Sequence, residues 1–198
     1  MRFAKSLPLL ATLLLPLAAS AHVGVDDGMH HGFSTGFLHP LTGADHLAAM
    51  VAVGFWSALA ARRAWPDLLW APLAFAGMLL VGALMGLAGV QLPAVEPMIA
   101  ASLLVLGLLV ATRVHLPAGV AMAVVGAFAV FHGVAHGHEL AGATGAAAAI
   151  AGMVLATVLL HGAGIAIGWT LRERSALLPR VAGGAVALFG AVLLAQVV

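Results

Sequence analysis

The sequence predicts an all-α, polytopic membrane protein: six transmembrane helices behind a cleavable signal peptide. Three observations carry this. Of 198 residues, 63% are hydrophobic and 8% charged, and the mean hydropathy is +1.13, so there is too little polar side chain to cover a water-soluble globule. Apolar runs of about 18 residues or more recur along almost the whole chain, each long enough to cross a ~30 Å hydrocarbon core as a helix. The basic residues are few and one-sided, as set out below.

The elements follow in chain order. Arg2 and Lys5 give a positive start, residues 7–17 an apolar core, and Ala19-Ser20-Ala21 a small-residue cleavage pattern. Residues 1–21 are therefore expected to be a signal peptide, with an uncleaved first helix as the alternative. Cleavage makes His22 the new N-terminus, where the free amine and Nδ1 form a chelating pair. Residues 22–35 are an external tail containing His30 and His31 with Asp26, Asp27 and Met29, a composition that binds metals weakly. Residues 36–198 form the membrane domain. Its six spans fall at about 36–61, 68–90, 97–112, 117–137, 145–170 and 179–197.

Beyond residue 21 the basic residues are Arg62, Arg63, Arg113, Arg172, Arg174 and Arg180, all in or bordering the loops after spans 1, 3 and 5. The positive-inside rule puts those loops in the cytoplasm of a bacterial inner membrane, and both mature termini on the periplasmic side. Gly82/Gly86 and Gly164/Gly168 make GxxxG pairs that suit close helix crossings in lipid, although 24 glycines produce some such pairs by chance. Six spans also permit a 3+3 inverted repeat, since span 4 runs opposite to span 1.

Composition excludes several functions. A net charge of +1 leaves no nucleic-acid footprint, and the absence of cysteine removes disulfides and thiolate chemistry. No P-loop or serine elbow is present, and His138-Glu139 lacks the second histidine of a metalloprotease, since position 142 is Gly142. No enzyme and no prosthetic group are expected. What remains is ten histidines in an apolar chain. Ionisable groups within a bilayer cost several kcal/mol unless paired, so they are candidates for function.

Two constellations stand out. At the outer end of span 1 lies His39-Pro40-Leu41-Thr42-Gly43-Ala44-Asp45-His46. On a helix running through Pro40, His39 and His46 share a face and Asp45 points roughly 100° away, as a neighbour that orients a ligand. If Pro40 instead begins the helix, His39 is its cap and the shared face is lost. At the outer end of span 4, His132, His136 and Glu139 fall within an arc of roughly 60°, and His138 lies off it. Both clusters occupy the same leaflet and can form one site. Two imidazoles and a carboxylate suit nickel, cobalt or zinc. A buried His–Asp bond that only locks two helices would use the same residues. His161, deeper in span 5, reads either as a second metal station or as a core histidine bonded to a backbone carbonyl. His115, beside Arg113, reads as solvated.

The two constellations resemble the motifs of the HupE/UreJ family of nickel permeases. HPxxGxDH matches His39, Pro40, Gly43, Asp45 and His46, and FHGxAHGxE matches Phe131, His132, Gly133, Ala135, His136, Gly137 and Glu139. The resemblance extends over the whole chain. It implies a secondary transporter or facilitator for a divalent metal ion in the lipid bilayer, most readily Ni2+ with Co2+ or Zn2+ as alternatives, supplying hydrogenase or urease. The larger nickel/cobalt permeases carry HxxxxDH, whereas five residues separate His39 from Asp45 here. A haem-binding membrane cytochrome and a non-transporting metal chaperone or sensor are the competing readings. A homo-oligomer is compatible with any of them.

Overall fold

A computed structural model describes residues 32–62 and 65–198. The expected signal peptide, and with it His22, His30 and His31 of the tail, lies outside the described residues. The described residues form α1 (Phe33–Thr42), α2 (Ala44–Ala60), α3 (Trp70–Leu87), α4 (Val95–Thr112), α5 (Ala118–Glu139), α6 (Ala146–Leu171) and α7 (Leu177–Val197). Helices α3 to α7 are each long and apolar enough to cross a membrane, and α1 with α2 makes a sixth, broken span. The protein is an all-helical, multi-pass membrane protein.

Span 1 differs from the single helix expected over 36–61. It begins at Phe33 and bends by 81° between α1 and α2. Pro40 sits well inside α1, neither its cap nor the site of the turn. The proline has no N–H to give to the preceding turn, which weakens the ladder locally. Three residues on, Gly43 leaves the helix with φ −79° and ψ 115°. Its N–H still closes onto the His39 carbonyl at 3.1 Å, and its own carbonyl accepts the Leu47 N–H at 2.9 Å, so the corner leaves neither group unpaired. α1 is held by α6: a Cβ on Gly36 would run into the backbone of Ala149, and one on Gly152 into that of Phe33.

In lipid, helices gain little by burying apolar surface against one another, so they associate through small residues that let backbones touch. Three pairings dominate: α3 with α5, α6 with α1–α2, and α4 with α7. In the first, Gly82 meets the carbonyl of Val130, Gly86 that of Val134, and Gly133 that of Leu79. In the second, Gly164 meets the carbonyl of Val51, Gly168 that of Phe55, and Gly54 that of His161. The registers correspond. Moving α3 onto α6 by 82 residues (Gly82 to Gly164, Gly86 to Gly168, Leu79 to His161) and α5 onto α2 by 79 (Gly133 to Gly54, Val130 to Val51) converts one set into the other. The third pairing maps onto itself, with Gly107 on Ala187 and Gly183 on Ala111. This is the packing of two three-span halves related by an in-plane two-fold.

The described arginines gather at one end of the bundle. Arg113 caps α4, and its guanidinium donates to the Arg172 carbonyl at the end of α6, at 2.7 Å. Arg62 follows α2, and Arg180 lies in the first turn of α7.

Candidate metal site

At the opposite end, the corner between α1 and α2 faces the last two turns of α5. The α5 motif alternates two jobs along one helix. Gly133 and Gly137 lie against the α3 backbone, and His132 and His136, one residue earlier in each turn and so about 100° round the helix, are fully buried. His39, His46 and His136 each offer a nitrogen, and the three nitrogens lie within 4.8 Å of one another. His39 packs edge-on to His46 and His136, with ring centroids 5.2 and 4.7 Å away, and His132 lies 5.5 Å from His46. All six residues singled out from the two motifs therefore converge. His39 and His46 do so by the turn at Gly43, not by sharing a helical face.

The hydrogen bonds fix which nitrogens are bare. Asp45 Oδ1 accepts from His46 Nδ1 at 2.8 Å and from the His46 backbone N–H at 2.9 Å. Glu139 Oε2 accepts from His136 Nδ1 at 3.3 Å. A carboxylate can only accept, so in both rings the δ nitrogen carries the proton and Nε2 presents a lone pair. These two Nε2 atoms lie 2.7 Å apart. Two lone pairs at that distance repel unless a proton or a metal ion lies between them. Nitrogens bound to one ion at ~2.0–2.1 Å sit about 3 Å apart, so a small adjustment accommodates a metal.

His132 shows the same logic. The Ser102 hydroxyl donates to the Ile99 carbonyl at 2.6 Å, so it accepts from His132 Nε2 at 2.9 Å. That leaves His132 Nδ1 as a bare nitrogen, buried with no partner. An unsatisfied buried polar atom costs about 1–3 kcal/mol, which a bound cation would offset. His161 Nδ1 donates to the Met50 carbonyl at 2.7 Å, and its Nε2 is likewise buried and unpartnered. Fully buried Phe75 stands between the two, its ring 5.8 Å from His132 and 5.2 Å from His161.

Glu139 is 52% exposed at the side chain and His39 half-buried, so the cluster opens at the end of the bundle, while its deep side is closed by Phe75. His138 faces away and donates to the Val90 carbonyl at 2.9 Å. Sequence reasoning did not single out Ser102 or Phe75. Ser102 carries a signal in retrospect, a hydroxyl inside the otherwise apolar α4 core. Phe75 carries none.

The family model for the HupE / UreJ protein matches residues 10–193. The chain is 45% identical over 197 residues to "Protein HupE" of Rhizobium leguminosarum bv. viciae, covering 98% of this chain and 99% of that one. No solved structure matches.

Proposed function

The chain belongs to the HupE/UreJ family, and from that premise we propose that it carries a divalent transition metal, Ni2+ first among the candidates, across the bacterial inner membrane. The family is of the membrane-transporter type, linked to nickel or cobalt uptake for hydrogenase and urease. The observation that carries the reading is the pair of bare Nε2 atoms of His46 and His136 held 2.7 Å apart beside two carboxylates. Imidazole nitrogens with nearby carboxylates are borderline donors that suit Ni2+, Co2+ and Zn2+.

The metal ion is cargo. It enters at the end of the bundle away from the arginines, which the positive-inside rule makes the periplasmic end. Glu139 and His39, at the open edge, meet the hydrated ion first. His46 and His136 replace water as it moves inward, and Asp45 and Glu139 hold their rings in the binding tautomer and supply negative charge. His132 Nδ1 offers the next nitrogen, and His161 Nε2 one beyond Phe75. Passage requires Phe75 to move, since its ring fills the space between them. A secondary mechanism fits the absence of a nucleotide-binding motif. A haem between His46 and His136 would have to force apart a pair of nitrogens that are in contact.

Flux of labelled nickel into proteoliposomes containing the purified protein tests the reading. Uptake above protein-free vesicles, competed by Co2+, is the expected result. Tight metal binding without flux would make the protein a chaperone or sensor, and a Soret band would make it a cytochrome.

A further inference from the structure

The two-fold that relates the halves carries the metal cluster to a definite place at the arginine end. The cluster sits where the start of span 1 meets the end of α5. Its image lies where the end of α2 meets the start of α5. The 79-residue shift places Ser57 at the position of His136 and Ala60 at that of Glu139. Sequence marks the image too. His39-Pro-Leu-Thr-Gly43 before the first core helix has a counterpart in His115-Leu-Pro-Ala-Gly119, with the histidine and glycine at the same spacing. The shift there is 76 residues, three fewer than in the helix cores.

A cavity occupies this position. It offers about 40 Å³ and is lined by Ser57, Ala60, Asp67, Trp70 and His115, among others. A water needs about 10–15 Å³ measured this way, so roughly three waters fit. His115 Nδ1 donates to the Ala60 carbonyl at 2.8 Å, which leaves Nε2 as the lone-pair nitrogen. A backbone carbonyl that fixes the tautomer is the usual support of a metal-binding imidazole. Asp67 also lines the cavity, and its Oδ2 accepts from the Arg62 backbone N–H at 3.2 Å. The rest of the wall is held shut. Trp56 Nε1 donates to the Val114 carbonyl at 2.9 Å, and the Ser57 hydroxyl donates to the Leu68 carbonyl at 2.8 Å.

We propose that this cavity is a second divalent-cation station, the symmetry mate of the histidine cluster, in which Asp67 and His115 take the ion before release. The assignment of release rests on the transport reading above. The station is weak for a chemical reason. It has one imidazole and one carboxylate, so the ion keeps most of its water. An exit site needs that weakness, because a ligand set as dense as the outer cluster would hold the ion.

The test uses the full chain with Asp67→Asn and His115→Gln, singly and together, substitutions that keep a hydrogen-bonding group at each position. Equilibrium dialysis of the detergent-solubilised protein against Ni2+ should show one tight and one weak site in the unsubstituted protein. The double variant should lose the weak site and keep the tight one, which also reports that it folds. In proteoliposomes its maximal nickel flux should fall roughly tenfold, the scale of losing one supporting group at a metal site, with half-saturation unchanged or lower. Persistence of the weak site in the double variant overturns the station. So does full flux in that variant at normal tight binding. An unsubstituted protein that moves no nickel overturns the transport reading instead, while dialysis still decides whether the station exists.

Discussion

The outer and inner ends of α2 and α5 occupy equivalent places in a two-fold arrangement, yet they carry different chemistry. The outer end holds His39, His46, His132 and His136 with Asp45 and Glu139. The inner end has Asp67 and His115 around a small cavity, with Ser57 in the place that symmetry gives to His136. The backbone accounts for some of the contrast. At the outer end the chain turns by 81° at Gly43, so α1 brings His39 into the histidine cluster. At the inner end residues 113–117 form a short non-helical connection, and His115 reaches only the rim. On the proposed reading, the same scaffold binds a cation strongly at one side and weakly at the other. The asymmetry lies in side chains and in one corner, not in helix packing.

The contrast can be broken most severely at the outer cluster. Replacing His46 or His136 by alanine should lower nickel accumulation by at least ~10–100-fold at unchanged membrane expression, measured with labelled metal at low micromolar concentration or below. Normal accumulation in both variants would leave the cluster a structural lock.

The glycine crossings come next. Gly86→Leu drives a side chain into the Val134 carbonyl, and Gly168→Leu does the same at Phe55, its two-fold mate. Overpacking a tight contact costs about 1–3 kcal/mol or more. Both variants should show comparably lower thermal stability in detergent. A large effect at one and none at the other would argue against equivalent halves.

Supporting groups should matter less. Ser102→Ala strands the His132 Nε2 proton in an apolar setting, an expense of about 1–3 kcal/mol that the ring can escape by changing tautomer. That change places the proton on Nδ1 and removes the lone pair. Nickel affinity should fall several-fold in dialysis, and Ser102→Thr should restore it. Equal losses in both would mean that packing, not the hydroxyl, is what counts.

The smallest effect is expected for His138→Ala. Its bond to the Val90 carbonyl tethers α5 to the end of α3, so loss should cost about 1 kcal/mol of stability while uptake is retained.

Much of this was determined by the sequence alone. Bilayer thickness and the cost of unpaired backbone polar groups leave an apolar chain few choices, so the spans over α3 to α7 were legible from hydropathy. The two motifs named the six residues that converge, because ionisable groups in an apolar helix have few roles other than function. Tertiary structure decided what periodicity cannot express. The corner at Gly43 arises where a proline-weakened helix can pack on α6, and it replaces a shared helical face with a meeting of two helices. The bare nitrogens depend on partners distant in sequence: Ser102 for His132, and the Met50 carbonyl for His161. The symmetry of the halves left little trace as sequence identity beyond the His39/Gly43 and His115/Gly119 spacing. It resides in where glycines allow backbones to touch, and a backbone contact constrains side-chain size at a few positions while leaving the rest of each helix free to vary.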